Sequence, residues 1–155
     1  MSVILEELAG YKNNTTFGWY NVNSGSVGQI FTGTDGSGAE KTVVFDDPTS
    51  FGFYIDPNGI PSNRMYTDHL LNTHGDFQVA VFKILDVENQ YILGWEDLDL
   101  NGSTGGDRDY QDMILRITIR PVPEPGTMLF MGLVLLGLMW IGRQCQGRAG
   151  WGAAV

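Results

Sequence analysis

The chain is 155 residues long, with 18 acidic against 9 basic residues and a single cysteine. That length supports one compact domain plus a tail and leaves no room for a second independent core. A formal charge of −9 excludes a surface built for nucleic-acid phosphates, and the lone Cys145 excludes a disulfide framework.

From the N-terminus, Met1, Ser2, Val3, Ile4 and Leu5 run straight into Glu6 and Glu7. Acids stand where the basic n-region and long apolar stretch of a secretion signal belong, so no N-terminal signal peptide is visible and the expectation is a chain truncated downstream of its leader. Glu6 to Gly10 predicts a helical turn. Short β-type runs separated by Gly, Asp, Asn, Pro and Ser then predict strands over Thr16 to Tyr20, Val27 to Phe31, Thr42 to Phe45, Phe51 to Ile55, Gln78 to Leu85, Tyr91 to Trp95 and Met113 to Ile119. The last is the clearest. Met113, Leu115, Ile117 and Ile119 share one face while Arg116, Thr118 and Arg120 share the other, the two-residue period of a half-buried strand. Seven or eight such strands predict an all-β domain, a β-sandwich or jelly-roll-like fold, over residues 1–121. Its aromatics Phe17, Trp19, Tyr20, Phe51, Phe53, Tyr54 and Trp95 are expected in the core or on sheet faces, with a sugar-stacking platform as the alternative. The glycines of Gly33 to Gly38 form a turn, because no Lys-Ser/Thr pair follows them to cradle phosphate. His69 and His74, with Asp68 and Asp76 nearby, read as a polar loop, with a weak metal site as the alternative.

Between the last two strands the chain crowds Glu96, Asp97, Asp99, Asp107, Asp109 and Asp112 into 17 residues. Such crowding repels itself unless it is solvated or neutralised by a cation. Oxygen ligands on a glycine-rich loop suit Ca²⁺, so Asp97, Asp99, Asn101, Asp107, Asp109 and Asp112 are the candidate metal ligands. Asp97, Asp99, Asn101 and Gly102 match the first, third, fifth and sixth positions of an EF-hand loop, but its twelfth falls on Arg108 and the flanks read as strands, which excludes a true EF-hand. The competing expectation is a solvated loop whose acids make turn hydrogen bonds and pair with Arg108. No Gly-x-Ser-x-Gly elbow is present, no catalytic residue is assigned, and an enzyme is not expected. The alternative from another class is a carbohydrate-active hydrolase pairing Glu96 with Asp109 or Asp112.

The C-terminus reads as an address. Pro123, Glu124, Pro125, Gly126 and Thr127 precede an apolar run from Met128 to Ile141, and Arg143 and Arg148 follow it. The prolines fix φ and remove backbone donors, so the last strand must end before them. The 17 residues from Gly126 to Gly142 would form a helix of roughly 25 Å, near the lower limit for spanning a bilayer. No polar face recurs along the run, as it would in a helix packed on a soluble core. Arg143 and Arg148 would hold the distal end on the cytoplasmic side. The predicted organisation is therefore a domain over 1–121, a sorting segment over 122–148 with a transmembrane helix at 126–142, and a tail over 149–155. Removing Glu124, Arg143 and Arg148 leaves 17 acids and 7 bases, so the domain carries the negative charge.

Val122 to Arg143 resembles the PEP-CTERM sorting signal of exopolysaccharide-producing Gram-negative bacteria. The resemblance implies recognition by exosortase, a membrane-embedded cysteine protease cutting near Pro-Glu-Pro, and makes Pro123, Glu124 and Pro125 recognition residues of a substrate. The family's arginines cluster directly after the helix, whereas Arg143 and Arg148 are separated here, which predicts inefficient or absent processing. Trp95 to Leu98, then Gly105 and Gly106, then Asp107 to Asp112, resemble the hallmark of the DUF4114 family, a β-rich exported domain that often precedes Pro-Glu-Pro tails. That hallmark spans residues 77–119. Together these resemblances imply a membrane-anchored precursor delivered to the cell surface or an exopolysaccharide matrix, with exosortase, the membrane and surface polysaccharides or proteins as partners. A plain single-pass membrane protein is the remaining alternative.

Overall fold

The structure, a computed structural model, describes residues 1–8, 13–45, 50–101, 105–120, 130–136 and 138–139. The chain divides into two compact units, Met1–Arg120 and Pro121–Val155.

The first unit is two antiparallel sheets facing each other, a sandwich rather than a closed barrel. One holds five strands in the order β4 (Glu40–Thr42), β1 (Ser2–Leu8), β9 (Met113–Thr118), β8 (Gln90–Trp95) and β7 (Val79–Lys83). The other holds four, β3 (Val27–Thr32), β2 (Thr16–Asn21), β5 (Phe51–Asp56) and β6 (Met65–Tyr66). Short 3₁₀ turns at Pro57–Gly59, Pro61–Asn63, His69–Leu71 and Thr73–Gly75 carry the chain from β5 to β7 around β6.

Alternation decides which side chains meet between the sheets. Met113, Leu115 and Ile117 of β9 are buried while Ile114, Arg116 and Thr118 are only partly so, as the period-two pattern predicts. Leu93 and Trp95 from β8 and Val3 and Leu5 from β1 join them. From the opposite sheet come Phe17, Phe31, Phe53 and Ile55. Phe17 stacks on Phe53 at 5.5 Å and meets Trp95 edge-on at 6.3 Å, which ties the two sheets together through one ring. Of the aromatics named from the sequence, Phe17, Tyr20, Phe53, Tyr54 and Trp95 are buried, and Trp19 and Phe51 are partly buried and pack against the core.

Two expectations about the elements change and one strand was not foreseen. The helical turn expected at Glu6 to Gly10 gives way to strand through Leu8, because Glu7 and Leu8 pair with Ile114 and Met113 of β9, while Ala9 and Gly10 lie outside the described residues. The register of β1 on β9 shifts between Leu5 and Glu7. Such a bulge breaks the alternation that would have revealed the strand. The strand expected at Thr42 to Phe45 lies at Glu40–Thr42 instead, and Val43 and Phe45 beyond it pack on the core from irregular backbone. The two-residue β6 went unpredicted. It pairs only with Tyr54 and Ile55 and is too short to leave a periodic signal.

In the second unit residues 130–136 and 138–139 are helical. Phe130, Met131, Leu133, Val134, Leu135, Leu136, Leu138 and Met139 are all exposed. No helix among the described residues is long and apolar enough to cross a membrane. The remainder of the predicted 126–142 span, Pro123 to Thr127, Arg143 and Arg148 lie outside the described residues.

Candidate metal centre

β8 and β9 are hydrogen-bonded neighbours, yet the connection from Glu96 to Asp112 is far longer than a hairpin needs. Its two ends continue the ladder: Glu96 N donates to Gln78 O at 3.0 Å, and Asp112 N to Trp95 O at 3.1 Å. Because successive residues point to opposite faces, Trp95 enters the core while Gly94 and Glu96 turn to the outer face of the five-stranded sheet. There the loop returns over them. A Cβ on Gly94 would lie 2.4 Å from Tyr110 O, and one on Gly106 would lie 2.8 Å from Glu96 Cδ. Both positions require glycine because backbone and carboxyl approach too closely for a side chain. The Tyr110 hydroxyl fastens the loop further by donating to Phe77 O at 3.1 Å.

Glu96 is thereby 1 % exposed although it lies on an outer face. Its Oε2 accepts from the backbone N–H of Arg108 at 2.9 Å. Burial pushes its carboxyl up to about 7, with Asp112 and Asp107 pushing the same way and the Arg108 N–H alone holding it down. Asp112 Oδ2 in turn accepts from Asp97 N at 2.9 Å, which locks the first and last turns of the loop together. Arg108 and Tyr110 adopt left-handed backbone, at φ 64° and 55°. The N–H groups of the residues that follow them bond to carboxylates, Asp109 N to Asp107 Oδ1 at 3.2 Å and Gln111 N to Asp109 Oδ1 at 3.0 Å. The Gln111 side chain also donates to Asp109, which holds that exposed carboxylate below its usual range.

Two trios of oxygen donors meet at Glu96. Glu96, Asp97 and Asp112 bring ligand atoms within 4.8 Å of one another, and so do Glu96, Asp107 and Asp109. Carboxylate oxygens so placed fit a hard divalent cation such as Ca²⁺, which takes about 6 to 8 of them and accepts irregular geometry. The candidate ligands Asp97, Asp107, Asp109 and Asp112 are thus distributed round a residue that sequence reasoning had assigned only to a hypothetical hydrolase pair. Asp99 goes elsewhere. It forms a third trio with His74 and Asp76, its Oδ2 lying 3.5 Å from His74 Nδ1. Asn101 follows it there, donating from its side chain to Asp76. His69 does not join His74, and its ring meets Phe77 edge-on at 4.4 Å. Gly102 lies outside the described residues. The one available signal for Glu96 was the Gly94-x-Glu96 spacing followed by Gly105 and Gly106, which lets a loop fold flat onto a strand.

No curated protein and no solved structure matches the chain. Two family comparisons do. Residues 121–144 match the PEP-CTERM protein-sorting motif, which marks a sorted surface or extracellular protein made as a membrane-anchored precursor and processed by exosortase. Residues 11–120 match the Domain of unknown function (DUF4114), covering the sandwich from β2 onward with its acidic connection. That match spans more than two-thirds of the sequence, so the chain belongs to the DUF4114 family and carries a PEP-CTERM sorting motif behind it.

Proposed function

We propose that the chain is a non-enzymatic surface or exopolysaccharide-matrix module whose acidic loop is stiffened by Ca²⁺ and whose 126–142 segment anchors the precursor in the membrane. The observation carrying the cation is the convergence of two carboxylate trios on buried Glu96. Their repulsion is relieved by a proton on Glu96 or by a cation between them, and Ca²⁺ relieves it at neutral pH. Non-catalytic use is supported by the position of Glu96 beneath the returning loop, where a glycan cannot reach its carboxyl. The row of exposed apolar side chains from Phe130 to Met139 supports a membrane environment for that helix.

Calcium titration of the purified full chain, followed by calorimetry and thermal melting, tests the cation. A rise in melting temperature at millimolar Ca²⁺ is expected, and neither heat nor a rise would remove calcium from the reading. Sorting is tested separately by co-expression with an exosortase and intact-mass measurement. A shortened chain is expected, and an unshortened one would favour a plain single-pass anchor.

A further inference from the structure

A second concavity opens on the same unit, where the 3₁₀ turns after β5 face the first residues of the acidic loop. Its volume is about 340 Å³, and Asn58, Ile60, Asn63, Gln78, Asp97 and Asp99 are among its lining residues. Gln78 is only 2 % exposed, and its side-chain oxygen has no hydrogen-bond partner among the described residues. An amide oxygen buried without a partner costs about 1–3 kcal/mol. A ligand hydroxyl donating to it would recover that loss.

The lining sets the class of ligand. Arg64 also borders the cavity, but its charge is already matched. Nε and an Nη donate to the two Asp56 oxygens at 2.6 and 2.7 Å, and the guanidinium lies 3.7 Å above the Tyr54 ring. With that cation spent and Asp97 and Asp99 on the wall, an anionic ligand is repelled. A single metal ion is far smaller than the space. A flat aromatic ligand finds no ring to stack on among the described lining residues. What fits is a small neutral molecule rich in hydroxyls, donating to Gln78 and the carboxylates, accepting from the Asn58 and Asn63 amides, and resting C–H faces on Ile60, Met65 and Leu98. We infer that this cleft binds a neutral sugar unit, either free or as the end of a polysaccharide. Of the residues gathered round Glu96 the cleft draws only on Asp97, and it stands apart from Glu96, Asp107, Asp109 and Asp112.

The test is a ¹H–¹⁵N titration of the full chain, in a detergent without a sugar headgroup, with free neutral hexoses and with short neutral oligosaccharides. Each series is run with saturating Ca²⁺ and with chelator, so a failure of calcium binding leaves the sugar result readable. Saturable shifts confined to residues 57–65, 78 and 97–99 are expected. Shifts with the hexoses identify a free sugar, and shifts with oligomers alone identify a chain end. Asn63 is exposed, and Asn63→Ala should weaken binding about fivefold while leaving the fold intact. Gln78→Leu should abolish binding while raising the melting temperature, because it removes an unpartnered buried oxygen. Absence of saturable shifts with every sugar, or full binding by Gln78→Leu, would overturn the assignment.

Discussion

Trp95 and Glu96 are neighbours in the chain and equally hidden, at 0 % and 1 % exposure, yet they are buried by opposite means. Trp95 is covered by the facing sheet, chiefly Phe17, so its burial removes apolar surface from water and stabilises the fold. Glu96 is covered by its own connection, which brings Asp107, Asp109 and Asp112 with it, so its burial costs free energy unless a proton or cation is present. Equal exposure therefore says nothing about sign. The inner face holds the sandwich together, and the outer face stores an electrostatic demand.

The sharpest way to separate the two faces is to damage each alone. Phe17→Ala removes the ring joining both sheets and should lose about 3–5 kcal/mol, read as a lower denaturant midpoint that calcium does not restore. A smaller effect is expected on the other face. The folded-state value of Glu96, about 7, lies above the ordinary 4.5. The stability it contributes is thus fully present below pH 4.5 and is lost as pH rises through 7. The metal-free chain should melt about 5 °C lower at pH 8 than at pH 5.5. Glu96→Gln should flatten that profile and remove the calcium response together. A variant that kept the pH slope would break the comparison, since the demand would then lie elsewhere. Smallest of all is the outer-face pair of Arg116 with Glu6, 2.6 Å apart and some 40 % exposed. Arg116→Ala should cost under about 1 kcal/mol in urea unfolding, which would show that charge on this face matters only where the loop seals it from water.

The inner face was legible in the sequence and the outer face was not. Met113, Leu115 and Ile117 announce their burial by a local period, and Phe17, Phe53 and Trp95 by their type. Periodicity fails at β1, where the bulge inserts Glu6 as an extra residue between Leu5 and Glu7 in the register on β9, and at β6, which is two residues long. Glu96 stands at an outward position by the same period that reads β9 correctly. Only the return of Gly106 and Tyr110 buries it, and a return path is tertiary information. The crowded acids drew attention to the loop, but sequence proximity could not tell that Asp99 would turn to His74 while Asp97 stayed with Asp112.

β1 also bears on the order of events during synthesis and export. Its two partners are β4 and β9, with Ser2 opposite both Thr42 and Thr118. β1 therefore cannot complete its pairing until β9 has followed it. Contacts that span nearly the whole domain form late, because a long loop must close before they are rewarded. The five-stranded sheet stays incomplete until residues 113–118 are available. Completion of the sheet therefore waits on β9.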